Sequence, residues 1–341
     1  MGKVICQIWL QMMFMGTEHP SQSLKGLITT PDYYYLKQGM GLHRKHLAIK
    51  RPVRHPFHSL SFLRTNHTST IQSILRPPSQ IAGNVPIEKV PPLYDGRRAA
   101  LTLNVVVVGA GLGGLAATHS FAHAGHRVTV LESCPVLGDV GAAIQLSPNQ
   151  SRLVVRWGLG PGLAATGVLP EAIVFRRYNT GERIGYTRWG RDTALDYGSP
   201  YYQIHRADYH TLLLRLARAA PGVHIRLGAT VSDVQPDPAV KGGPSVTLAC
   251  GEVIHADLII AADGVRSSIQ KIVTGQDEKP TPTGDTAYRA IISTEPLLRD
   301  PELRSFVETP EMAGWLGPSR HVMTCCIVGV LSSENKVSIA S

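Results

Sequence analysis

The chain has 341 residues, 43% hydrophobic, 17% charged and 6% aromatic, with five cysteines and a formal net charge of +9. That length suits one large or two medium domains, and the apolar share supports a packed core, which excludes a globally disordered chain. No apolar run is long enough to span a bilayer as a helix, and Cys6, Cys134, Cys250, Cys325 and Cys326 have neither disulfide nor zinc spacing.

The charge is confined to one end. Residues 1–100 hold 13 Lys and Arg against 4 Asp and Glu, whereas residues 101–341 hold 21 of each. A basic surface built into the fold is therefore not expected, and no nucleic-acid partner is assigned. Between residues 33 and 87 there is no acidic residue, while eight Lys/Arg and five His are present. Residues 1–102 read as a basic, disordered leader, with an organelle (mitochondrial) transit peptide as the alternative to a cytoplasmic protein.

Beyond Leu103 the texture changes. Residues 105–108 are four consecutive valines, as in a strand buried on both faces. Gly109, Gly111 and Gly114 follow in the spacing G-x-G-x-x-G, and residues 115–124 predict a helix stopped by Gly125. Residues 127–131 predict a second strand, closing on Glu132, which makes a βαβ unit. A hairpin is predicted from residues 174–178 and 183–187. Further strands are expected at 228–235, 245–249 and 257–262, the last leading into Asp263-Gly264 and a helix beginning near Ser267.

The glycine spacing carries the chemistry. Gly109 permits a tight turn, Gly111 lets backbone approach a pyrophosphate, and Gly114 lets helix and strand pack closely. Phosphates then face the helix N-terminus, where free N–H groups and the dipole favour anions. Glu132 lies 18 residues beyond Gly114, placed to grip ribose hydroxyls, and its charge disfavours a 2′-phosphate there. Alone the spacing is often just a glycine-rich turn; with strand, helix and acid in place it reads as a dinucleotide site. It does not separate FAD from NAD.

Four stretches together resemble one family: residues 105–132 (VVVVGAGLGGLAATHSFAHAGHRVTVLE), 141–149 (GAAIQLSPN), 205–208 (HRAD) leading into a helix, and 257–268 (DLIIAADGVRSS). In that order they resemble the FAD-dependent aromatic-ring monooxygenases with the para-hydroxybenzoate hydroxylase fold, especially the salicylate-hydroxylase-like branch. Weaker similarity continues through Tyr288-Arg289-Ala290 and residues 315–321 (WLGPSRH). The resemblance implies an α/β fold, a Rossmann-like FAD-binding domain of the glutathione-reductase type interleaved with a β-sheet substrate domain. It divides the chain into FAD-binding segments at 103–167 and 205–276, a substrate-layer hairpin at 168–204, an incomplete substrate domain at 277–327, and an unrelated tail at 328–341.

The same resemblance implies residue roles. Gly109, Gly111, Gly114 and Glu132 match the site for the ADP half of FAD. Arg206 matches an arginine beside the flavin, its other reading being a solvated residue at a helix start. Asp263 and Gly264 match a motif that handles FAD and NAD(P)H, or else form an ordinary turn after a strand. Gln145 and the backbone of 141–143 pass near the flavin by the same analogy. Tyr288 and Arg289 are the substrate-side candidates, with a plain sheet position as the alternative. His205, His210 and His321 are given no role, and neither a metal site nor catalytic residues are assigned.

The implied activity is hydroxylation of a small aromatic or related compound, using FAD, NAD(P)H and O2 through a flavin hydroperoxide. The alternatives are a flavin oxidase or dehydrogenase, and a non-catalytic nucleotide-binding remnant. Family members carry a later Gly-Asp motif that contacts the flavin's ribityl chain; Gly284-Asp285 comes too early to be it, so the chain is expected to be C-terminally truncated and a poor enzyme.

Overall fold

The computed structural model describes residues 6–12, 80–137, 143–237, 239–276, 281, 286–292, 294–327 and 339–340. The expectations for the 328–338 part of the tail, for Gly284-Asp285, for the backbone at 141–142 and for leader residues 13–79 fall outside these.

A four-stranded parallel sheet forms the nucleotide-binding layer, in the order Leu258–Ala261, Asn104–Val108, Arg127–Leu131, Val223–Arg226. Its valine run is explained by cover on both faces. Val105, Val107, Val128 and Val130 join one core with Leu115 of the Leu112–His123 helix and Tyr209, Leu212, Leu213 and Leu216 of the Arg206–Ala219 helix. Val106, Val108 and Leu131 point the other way, into a second core with Val234, Val246 and Leu248. Those last three belong to an antiparallel meander of Val231–Gln235, Ser245–Leu248 and Val253–His255. Each fully buried Val contributes about 1.5–3 kcal/mol, so polar replacements on either face are costly.

Two other sheets complete the fold. Ala143–Leu146, Tyr202–His205 and Gly167–Val168 pair antiparallel in a small sheet that leads directly into the Arg206–Ala219 helix. The hairpin Ala172–Arg177 and Arg183–Arg188 forms the edge of a seven-stranded mixed sheet, where Ala172–Arg177 runs parallel to Glu311–Gly317. Arg320–Cys325 and Thr286–Ile292 belong to the same sheet.

The predicted leader boundary does not match the secondary structure. Cys6–Met12 is a strand of the large sheet, antiparallel to Thr286–Ile292 and to Arg320–Cys325. Gln80–Asn84 is helical, and Ala82 within it is fully buried against the nucleotide-binding layer. Arg215 fastens this turn by donating from Nη1 to the carbonyls of Ala82 (2.9 Å) and Val85 (2.6 Å), and the Glu88 N–H bonds the Gly158 carbonyl at 2.9 Å. Residues 80–102 are therefore part of the folded body.

Candidate nucleotide-binding site

The strand Asn104–Val108 delivers the chain to Gly109, whose φ of +104° is open to glycine alone at little cost. A side chain there would also collide with the Ala262 carbonyl. Gly114, in the first turn of the helix, packs so closely on the Gly109 carbonyl that a methyl group would overlap its oxygen. Gly111 differs: it is the N-cap in extended geometry, and a Cβ there would meet nothing within 4 Å. It faces open space.

That space consists of two clefts meeting at the loop, at the carboxyl ends of the parallel strands. One, of about 350 Å³, is lined by Gly109, Gly111, Glu132, Ser133, Asp263 and Arg266. The other, of about 710 Å³, is lined by Gly111, Gly113, Arg206, Asp263, Ser267 and Gln270. Gly111, Ala262, Asp263 and Gly264 border both. This is where open α/β sheets bind ligands. The first helix aims its unpaired N-terminal N–H groups here, and Arg206 adds a fixed cation.

Glu132 is held by its neighbours. Its Oε2 accepts from the Ala110 N–H at 2.8 Å, and its Oε1 accepts from the Cys134 N–H at 2.9 Å and the Ser133 hydroxyl at 3.2 Å. Burial alone raises its pKa, but these hydrogen bonds outweigh burial and hold the carboxyl below its ordinary range. The side chain is therefore ionised at neutral pH.

Asp263 has both a cleft position and a role in its turn. It borders both clefts, and it also ties the turn after its strand. Its carboxylate accepts from the Ser267 hydroxyl (2.7 Å), the Ser268 N–H (2.8 Å) and the Ile269 N–H (3.3 Å). Gly264 follows with φ +86°.

Gln145 is not in either cleft. On the small sheet, its Oε1 accepts from the Tyr201 hydroxyl at 2.7 Å, and its Nε2 lies 3.2 Å from Met312 Sδ on the large sheet. Tyr201 stacks on Trp189, and its phenol is pushed up to about 12, chiefly by burial, with Cys325 adding to it. Gln145 thus stands where the two sheets meet. Tyr288 and Arg289 lie in the strand Thr286–Ile292, and their side chains fall outside the described residues.

Ser133, Arg266 and Ser268 line the first cleft and were not foreseen. His210 also gained a place: its Nε2 is 2.8 Å from the Ala110 carbonyl. No group of His, Cys, Asp and Glu among the described residues is arranged to hold a metal ion. No described helix is long and apolar enough to cross a membrane.

Residues 102–331 match the family described as FAD binding domain. The chain is 35% identical over 230 residues to the FAD-dependent monooxygenase OpS4 of Beauveria bassiana, covering 67% of this chain and 52% of that one. It is 34% identical over 219 residues to 3-amino-4-hydroxybenzoate 2-monooxygenase PtnB3 of Streptomyces platensis, covering 64% and 52%. With 3-hydroxybenzoate 6-hydroxylase 1 of Aquipseudomonas alcaligenes it shares 33% identity over 220 residues, covering 64% and 53%. The chain spans about half the length of the curated relatives it matches. Among solved structures, a Klebsiella pneumoniae HpxO variant complexed with FAD has a similar fold, with a TM-score of 0.52, 20% identity, and coverage of 67% of this chain and 55% of that one.

Proposed function

This chain belongs to the FAD binding domain family, and from that premise we propose that it serves an FAD-dependent monooxygenase that hydroxylates a small aromatic compound with NAD(P)H and O2. The observation carrying the reading is the open Cβ direction at Gly111, which looks into two clefts bordered by Glu132, Arg206 and Asp263. An elongated dinucleotide needs such a place, with backbone at its pyrophosphate and acid and base on either side. FAD, when bound, would supply the redox chemistry between NAD(P)H and O2.

The chain's own residues have four tasks in this reading. Gly111 and the N-terminus of Leu112–His123 hold the pyrophosphate on backbone N–H groups. Glu132 turns an ionised oxygen towards the ribose hydroxyls. Arg206 neutralises phosphate charge from the opposite wall. Gln145 and Tyr201, at the junction of the small and large sheets, face the flavin end and help keep water from it; Tyr201, with its pKa near 12, stays a neutral donor there.

The test is to purify the chain, record its flavin spectrum, and follow NAD(P)H oxidation with a panel of hydroxy- and aminobenzoates. Hydroxylated product supports the full reading. Peroxide alone supports the oxidase alternative. Binding of FAD or ADP with neither product narrows the reading to a nucleotide-binding domain, and failure to bind either refutes the site. The narrower reading has its own support, because the clefts gather groups suited to the ADP half of the cofactor.

A further inference from the structure

Ala110, between two glycines of the loop, is gripped through both of its flanking peptide groups. Its N–H donates to Glu132 Oε2 at 2.8 Å, and its carbonyl lies 2.8 Å from His210 Nε2. Neither group belongs to a regular element: the strand ends at Val108, and the first helical bond after the loop runs from the Leu115 N–H to the Gly111 carbonyl. Ala110 is also buried, at 1% exposure, so both groups need a protein partner. Side chains supply both, one from the end of the second strand and one from the Arg206–Ala219 helix.

We infer that His210 is a positioning residue for the phosphate-binding loop. A carbonyl oxygen only accepts, so the bond requires the proton on Nε2. His210 lies one helical turn beyond Arg206, on the same helix face. One rigid helix therefore presents a cation to the second cleft and, four residues on, clamps the loop that divides the clefts. Rotation of the Ala110–Gly111 peptide would turn the Gly111 N–H away from the ligand; the His210 bond opposes that rotation directly, and the Glu132 bond holds the preceding Gly109–Ala110 peptide, so loosening either one loosens the loop at Ala110. The loop is set before ligand arrives, and ordering it costs no affinity on binding.

The inference rests on the reading that phosphate binds at this loop, so its test has one arm free of ligand. In the full chain, His210→Leu removes the donor, whereas His210→Gln keeps an N–H donor at a similar reach. Without ligand, amide exchange at Ala110 should be about tenfold faster in His210→Leu than in wild type, and within about twofold of wild type in His210→Gln. With ligand, His210→Leu should lose about tenfold in ADP affinity and little in adenosine affinity, with His210→Gln restoring ADP binding. A purely structural role would lower both affinities alike and would not be rescued. Unchanged Ala110 exchange in His210→Leu overturns the inference whatever the ligands do. Equal losses for ADP and adenosine, or no rescue by Gln, overturn it as well. If exchange responds as expected while wild type binds neither ADP nor FAD, the loop clamp stands and the proposed site fails.

Discussion

Alanine placed at Gly111 and at Gly114, three positions apart, should give opposite phenotypes. At Gly111 the backbone is already in an extended N-cap conformation open to any residue, and the new methyl meets no protein atom within 4 Å. Its stability terms nearly cancel: alanine is the poorer N-cap by about 0.5–1 kcal/mol, and it recovers about 0.4–1 kcal/mol by restricting the unfolded chain. Gly111→Ala should melt within a degree or two of wild type, but its methyl projects into the space where backbone must touch phosphate, so ADP binding should be lost. At Gly114 the methyl overlaps the Gly109 carbonyl oxygen and lies 3.1 Å from that carbonyl's carbon and 3.4 Å from Ala262 Cβ, all backbone or short side chain that cannot swing aside. The gain of about 1 kcal/mol in helix propensity is outweighed by overpacking of about 3 kcal/mol. The net loss of about 2 kcal/mol lowers the melting temperature by about 4–8 °C in a domain of this size. Thermal melts and ADP calorimetry on both variants decide the matter. A Gly114→Ala chain as stable as wild type, or a Gly111→Ala chain that binds ADP normally, would refute the close packing or the phosphate contact respectively.

Glu132→Ala should weaken ADP binding by about 1–3 kcal/mol through lost charge-assisted hydrogen bonds, measurable by the same calorimetry. Because the Glu132 carboxyl titrates below its usual range, wild-type adenosine affinity should stay level as pH falls from 7 to about 5; a decline above that would contradict the ionised reading. His119, 3% exposed, has its pKa pushed down to about 4, first by burial and then by His123. The unfolded chain binds that proton at about 6.5, so stability is full above that pH and drains as pH falls towards 4, by about 3 kcal/mol. Urea midpoints across this range should show the slope, and His119→Leu should flatten it. Arg215→Ala releases the Ala82 and Val85 carbonyls and should cost about 1–3 kcal/mol, with proteolysis of residues 80–92 accelerated. Equal digestion rates would show that the turn is held by packing alone.

The strand, turn and helix of the first βαβ unit are legible locally. The valine run, the glycine spacing and the acid after the second strand each depend on neighbours a few residues away, and the strand Arg127–Leu131 appears with the predicted bounds. The Leu112–His123 helix starts earlier than its pattern suggested, because glycines at its head mask the periodicity while serving the loop. Features set by distant partners were missed. The Gln80–Asn84 turn has little periodicity of its own and is held by Arg215 and buried Ala82. The strand Cys6–Met12 pairs with Thr286–Ile292, a register no local window can show. The partners that hold Gln145, Tyr201 and Met312, come from other strands or loops and leave no local signal in the sequence. His210 carried no signal beyond being a histidine, since its partner is a backbone carbonyl 100 residues earlier.

The pairing of Leu258–Ala261 with Asn104–Val108 bears on how the chain is made. Asn104 bonds Asp257 across a separation of 153 residues. At translation rates of about 5–20 residues per second, the valine strand waits on the order of 10–30 s for its neighbour on that side. During that interval an apolar ribbon with one bare edge is held at the ribosome, and nothing within the first βαβ unit can shield it. Expression yield should therefore respond to growth temperature and to chaperone supply more than to changes that stabilise the finished fold.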